Sequence, residues 1–205
     1  MKILNLYSGI GGNRKLWGNN HEITAIEYDQ DIADIYQDFF PNDEVIVTDA
    51  HQYLLDHFEE YDFIWSSPPC PTHSRFNLLS NVQEGKSVKY PDMALYQEII
   101  YLRHWFKGKW VIENVISYYE PLITPYKVSN HYFWSNFYIN EFDIGKRGIR
   151  NEKNHIEKRC KQLGLNETKI TGNSEFKRKI LNNCTEPELG LHIFNEAFKE
   201  NKTLL

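Results

Sequence analysis

The chain has 205 residues, enough for one sizeable α/β domain with a small appendage, and its 41% hydrophobic and 25% charged content is ordinary for a globular protein. A formal net charge of −5 gives no bulk attraction to polyanions, so any nucleic-acid affinity has to be local. No apolar run is long enough to cross a membrane, no signal-peptide pattern is present, and Cys70, Cys160 and Cys184 offer neither a disulfide framework nor a C-x-x-C metal pair, so the expectation is a cytoplasmic protein with reduced thiols and no metal.

In chain order, KILNLYS, EITAIEY, EVIVTD, DFIWSS and KWVIENV read as strands, each ending at a polar, Gly or Pro turn. Between them DIADIYQDFF, QYLLDHF and MALYQEIIYLRHWF place apolar residues at helical spacing. Strand alternating with helix predicts a doubly wound, mostly parallel sheet. HYFWSNFYI, at 131–139, predicts half of an antiparallel hairpin added to it. Residues 1–145 carry ten Lys+Arg against twenty Asp+Glu, whereas 146–181 carry eleven (Lys146, Arg147, Arg150, Lys153, Lys158, Arg159, Lys161, Lys169, Lys177, Arg178 and Lys179) against four Glu. A charge run is usually a solvated face, but this one also fits a polyanion partner. The segment is too poor in large apolar residues to build its own core and has to ride on the acidic body.

Ligands of such sheets bind at the carboxyl ends of the strands. YSGIGG follows the first strand here, Glu27 ends the second, Asp49 the third, Pro-Pro-Cys the fourth and Glu-Asn the fifth. Gly9, Gly11 and Gly12 let a backbone pass close to a ligand, although alone they describe only a tight turn. Arg14 stands where the third glycine of a dinucleotide fingerprint belongs. Glu27 is placed to accept hydrogen bonds from ribose hydroxyls, so the pair reads as a nucleoside site that need not hold a pyrophosphate. Most cysteines are small buried hydrophobes, but Cys70 follows Pro68-Pro69, whose rings stiffen the backbone at a strand end. Glu113 follows the apolar WVI, and a carboxylate there is either buried and paired or turned into a cleft.

LYSGIGGNRKLW, SSPPCPTHS, WVIENV and NNCTEPELGLHIF, in that order, resemble the ordered motifs of the DNA cytosine-C5 methyltransferases. DMALYQEIIYL resembles the helix between them, and HYFWSNF the strand that follows an arginine motif in the de novo methyltransferases of the family. The resemblance covers most of the chain outside roughly 140–178. It implies a Rossmann-like fold, S-adenosylmethionine as methyl donor and double-stranded DNA as substrate. Tyr7 would pack on the cofactor, with Gly9, Gly11 and Gly12 at its amino-acid end and Pro68 beside it. Glu27 would hold its ribose, Tyr28 would stack on the adenine, Asp49 would bond the adenine amine, and Asn183 would close the pocket. Cys70 would add to C6 of a flipped-out cytosine while Glu113 bonds N3 and the exocyclic amine. PTHSRFNLLSNVQEGKSVKY would be a loop closing over the DNA, with Ser74 and Arg75 on its backbone. Lys146, Arg147, Arg150, Lys158, Arg159 and Lys161 would meet phosphates.

The chain departs from the family pattern at several points. Ser129-Asn130-His131 stands where its arginines belong, which nominates His131 as a replacement donor to the base. Asn5 replaces an aspartate, Pro71 a glutamine and His73 a phenylalanine. The organisation expected is a catalytic core over 1–139, a small basic recognition segment over 140–180, and a motif and helix over 181–205 that return to the core. A chain this small leaves room for a homodimer covering the duplex, and a bacterial or phage origin fits it. The competing readings are an amino-methyltransferase of adenine or cytosine N4, against which Cys70 stands where an aromatic residue would follow the Pro-Pro turn, a tRNA cytosine-C5 methyltransferase, and a DNA-binding relative with impaired turnover.

Overall fold

Apolar runs too short for buried helices become strands, and the turn residues after them become the loops of the site. The computed structural model of the chain describes residues 1–83, 87, 90–145 and 154–199. Among these, seven strands form one sheet: β1 Lys2–Leu6, β2 Glu22–Glu27, β3 Glu44–Val47, β4 Phe63–Ser66, β5 Lys109–Val115, β6 Tyr126–Val128 and β7 His131–Ser135. Their order is β3-β2-β1-β4-β5-β7-β6. Strands β1 to β5 pair in parallel, β7 runs antiparallel to β5, and β6 antiparallel to β7. The winding reverses between β1 and β4, which opens a crevice at their carboxyl ends. This is a mixed α/β, doubly wound sheet of Rossmann-like topology with an antiparallel hairpin at one edge.

The helices are α1 Gln30–Phe39, α2 Ala50–His57, α3 Arg75–Gln83, α4 Ala94–Trp105, α5 His155–Leu163, α6 Ser174–Asn183 and α7 Pro187–Phe198. Period-two alternation splits the strand side chains between two cores. Leu4, Leu6, Ile64 and Ile112 pack with Leu54 of α2 and Leu95, Ile99 and Leu102 of α4. Ile3, Phe63, Trp65, Val111 and Phe133 face the other way and are covered by Leu189, Ile193 and Phe194 of α7. Each such side chain contributes about 1.5–3 kcal/mol on burial, enough to return the carboxyl-terminal helix to the sheet.

A third cluster joins Ile10 and Ile35 to Cys160, Leu163, Leu165, Ile170, Ile180 and Leu181. The few apolar residues of the basic segment are thus spent on docking it against α1. Lys146, Arg147 and Arg150 lie outside the described residues. Helices α5 and α6 of the basic segment, helix α3 and strand β6 all escape the sequence reading. Helix α3 falls within a stretch read as a loop, because its Leu79 and Val82 stay exposed and no apolar stripe announces it. Strand β6 has only three residues, YKV, too few to show a period.

Candidate active site

The first loop turns sharply after β1. Tyr7 (φ 54°), Gly9 (φ 53°) and Gly11 (φ 76°) all adopt left-handed backbone. A Cβ on Gly11 would strike the Phe40 and Tyr36 rings, and one on Gly12 would strike the Cys184 thiol and the Thr185 carbonyl. The space at Gly12 is therefore filled by the chain's last motif, whereas a Cβ on Gly9 would meet open space. That contact brings Asn183, exposed at the end of α6, alongside the loop.

At the end of β2 the half-buried Glu27 accepts backbone hydrogen bonds from Tyr28 (2.9 Å) and Asp29 (3.1 Å) on one oxygen, and from Gly9 (2.9 Å) on the other. Three amides fix this carboxylate and still leave it lone pairs. Tyr28 next to it is 78% exposed, an aromatic face open to a planar ligand. Asp49 caps α2, its Oδ1 accepting from the Gln52 amide at 2.8 Å. Tyr7, Gly9, Glu27, Tyr28 and Asp49 thus gather at the carboxyl ends of β1, β2 and β3.

The second loop follows β4. Pro68 is buried and its carbonyl accepts from Asn114 Nδ2 of β5 at 3.0 Å, which ties the turn to the neighbouring strand. Cys70 is half-buried, and its carbonyl accepts from the amides of His73 (3.0 Å) and Ser74 (3.1 Å). Ser74 bridges to Ser117, whose carbonyl accepts from Arg75 Nε at 2.7 Å. His73 is buried, with Nδ1 2.5 Å from the Tyr119 hydroxyl. Burial pushes its pKa below the ordinary histidine value, opposed by Asp92, which favours the neutral ring.

Glu113 and His131, both buried, come from adjacent antiparallel strands. Glu113 stands opposite Phe133 and His131 opposite Val115, so the two are diagonal neighbours on one face. His131 Nε2 lies 3.6 Å from Glu113 Oε1, longer than a hydrogen bond but close enough for their charges to interact. The residue nominated in place of the missing arginines therefore faces the nominated carboxylate.

One expected contact is corrected. Arg159 is a buried side chain that donates to Glu186 Oε1 (2.8 Å) and to the carbonyls of Leu181 (3.2 Å) and Cys184 (3.1 Å). It clamps α5 to the last motif and offers no charge to a phosphate. Lys158 and Lys161 on the same helix are exposed.

One group went unread in the sequence. Glu98 of α4, with no solvent exposure, accepts from Tyr7 (2.7 Å), from Ser66 at the end of β4 (2.7 Å), and meets His51 Nδ1 at 3.1 Å. Its signal was present: Leu95, Glu98, Ile99 and Leu102 fall on one helical stripe, and a carboxylate on a buried stripe needs donors. Among the described residues no group of three or more His, Cys, Asp or Glu side chains could hold a metal, and no helix is long and apolar enough to cross a membrane.

No curated protein matches the chain. Among solved structures it is similar to a mutant of DNMT2 from Spodoptera frugiperda, at 26% identity and a TM-score of 0.40, covering 56% of this chain and 35% of that one. It is also similar to a DNA modification methyltransferase encoded in an Escherichia coli prophage, at 18% identity and a TM-score of 0.39, covering 58% and 33%. A third likeness is the Entamoeba histolytica methyltransferase EhMeth, at 13% identity and a TM-score of 0.42, covering 73% and 58%. The chain thus spans about a third of the length of the first two, and TM-scores this low add nothing to a family assignment. The assignment rests on a family profile described as C-5 cytosine-specific DNA methylase, which matches residues 1–118. With more than half of its length matched, the chain belongs to the C-5 cytosine-specific DNA methylase family.

Proposed function

We propose that this family member transfers a methyl group from S-adenosylmethionine to C5 of cytosine in double-stranded DNA, with Cys70 as the attacking thiol. The observation that carries the reading is the convergence of three neighbouring strands. Strand β4 leads into Pro68-Pro69-Cys70, β5 carries Glu113, and β7 sets His131 3.6 Å from that carboxylate.

The residues at the ends of β1 to β3 suit the cofactor. Gly9 faces open space, Glu27 is anchored with lone pairs to spare, and Tyr28 exposes its ring. When bound there, S-adenosylmethionine supplies an electrophilic methyl group. Gly9 would give room for its amino-acid end, Glu27 would accept from its ribose hydroxyls, and Tyr28 and Asp49 would receive the adenine. Asn183 would close the rim.

Cytosine C5 is a weak nucleophile until a thiolate adds to C6. Cys70 makes that bond, and near-contact geometry matters because orientation supplies much of the rate. The Asn114–Pro68 bond and the two amides on the Cys70 carbonyl hold the turn in place. Glu113 binds N3 and the exocyclic amine, where charge develops during the addition, and His131 donates towards O2. Once C5 carries the methyl group, water acting as base takes the C5 proton, the electron pair of that bond restores the C5=C6 double bond, and the C6–S bond breaks to release the Cys70 thiolate. Either group reaches the base only once it has left the stack.

The experiment is methyl transfer from labelled cofactor to duplex DNA and, separately, to tRNA, with the product nucleoside identified by mass spectrometry. The reading predicts 5-methyldeoxycytidine from the duplex. Label in the tRNA alone, or a methyl group on an exocyclic nitrogen, would refute it.

A further inference from the structure

Glu98 is a fully buried carboxylate on α4 with no part in the chemistry above. Isolating such a charge from water is costly unless donors satisfy it, and here they come from three strand-end segments. Tyr7 donates at 2.7 Å from the turn after β1, Ser66 at 2.7 Å from the last position of β4, and His51 Nδ1 lies at 3.1 Å from the first turn of α2. Tyr7 is the non-glycine residue of the first loop held in left-handed backbone, a conformation that persists only where its surroundings enforce it. Ser66 stands just ahead of the Pro68-Pro69-Cys70 turn, and His51 just past Asp49.

We propose that Glu98 is a positioning residue for the cofactor: its buried carboxylate holds the Tyr7 ring and the His51 turn as the wall of the S-adenosylmethionine pocket, without touching the ligand. The inference rests on the reading of that pocket as the cofactor site. Two electrostatic signatures accompany the geometry. Burial, reinforced by Glu98, pushes the Tyr7 hydroxyl above the ordinary phenol pKa, so it stays a donor. Its hydrogen bond to Glu98, assisted by the charges of Glu98, Asp49 and Asp92 and opposed by burial, raises the pKa of His51. The α4 side chain thus answers for the state of two residues on other elements.

The test combines cofactor affinity with the titration of His51 in the full chain. Glu98→Gln keeps the shape of the side chain but removes its charge, and Tyr7→Phe keeps the ring but removes the donor. Each should weaken S-adenosylmethionine binding about tenfold by calorimetry, because a hydrogen bond to a charged group is lost. The double variant should bind about as weakly as Glu98→Gln alone, since that change already cuts the Tyr7 connection. The His51 ring, followed by NMR, should titrate lower in Glu98→Gln, towards the ordinary value of about 6.5. A group that merely stabilised the fold would lower the melting temperature and leave affinity in the folded variant unchanged. Wild-type affinity in Glu98→Gln, or in Tyr7→Phe should the first variant not fold, overturns the positioning role. Strictly additive losses overturn it too. A wild-type chain that binds no cofactor fails at an earlier point, the pocket reading itself, and takes the positioning role with it.

Discussion

His131, nominated by the resemblance as a replacement for an arginine, faces Glu113 across 3.6 Å. An imidazole N–H is one donor where a guanidinium offers five, so the substitution trades strength for compactness. Removing a donor aimed at developing charge typically costs ten- to a thousandfold in kcat, and His131→Ala should fall in about that range in steady-state methyl transfer. Asn130→Ala, just before β7, should cost much less, and His131→Arg should retain activity. Near-normal turnover in all three would remove His131 from the base. His73 supports the same site by a different device. Its pKa is pushed down by burial, so the unfolded chain, titrating near 6.5, takes up the proton first. Its contribution to stability is therefore complete above about pH 6.5 and drains away as the pH falls towards the lowered folded value. His73→Phe should flatten that part of the pH profile, read as the difference in urea midpoint between wild type and variant at pH 7.5 and 5.5. An identical difference at both values would contradict the neutral-ring account. At this scale a motif singles out Cys70 and Glu113 in the sequence, and the structure sets them after β4 and on its neighbour β5. The sequence was silent on Glu98, Ser66 and His51, whose meaning lies in meeting one another across three elements.

Helix α5 shows how an element can carry opposite kinds of cation on its two sides. Arg159 is buried against Glu186 and two carbonyls, while Lys158 and Lys161 are exposed. Charge counting along the chain cannot separate them, because the sign is the same and only burial differs. Arg159→Ala should destabilise the fold by about 3–5 kcal/mol in denaturant titration, since it strands the Glu186 carboxylate. Lys158→Gln with Lys161→Gln should leave stability within about 0.5 kcal/mol but flatten the salt dependence of DNA binding, by up to about one slope unit for each phosphate no longer neutralised. An unchanged slope would return this face of α5 to ordinary solvated surface. The strands β1 to β5 were legible because each is a short apolar run closed by a turn residue. Helix α3 was not, since Leu79 and Val82 face solvent and give no stripe to read.

Taken as a whole, the molecule gathers its candidate site residues where the sheet changes winding direction. Those proposed for the cofactor stand at the ends of β1 to β3, and those proposed for the base follow β4 or lie on β5 and β7. The parallel body could be read from alternating strand and helix patterns. The return of the last motif to the first loop was expected only through the resemblance, and its contact with Gly12 could not be read from the residues themselves, because close approach of distant segments leaves no local mark. The claim that joins these parts is that Cys70 bonds covalently to C6 of a cytosine. A duplex bearing 5-fluorocytosine tests it most directly, since the fluorine cannot leave as the C5 proton does and the adduct should persist. Incubated with that duplex and S-adenosylmethionine, the wild-type chain should yield a peptide containing Cys70 linked to the methylated nucleotide by mass spectrometry, and Cys70→Ala should yield none. A preparation that methylates ordinary cytosine yet gives no adduct at Cys70 would contradict the account.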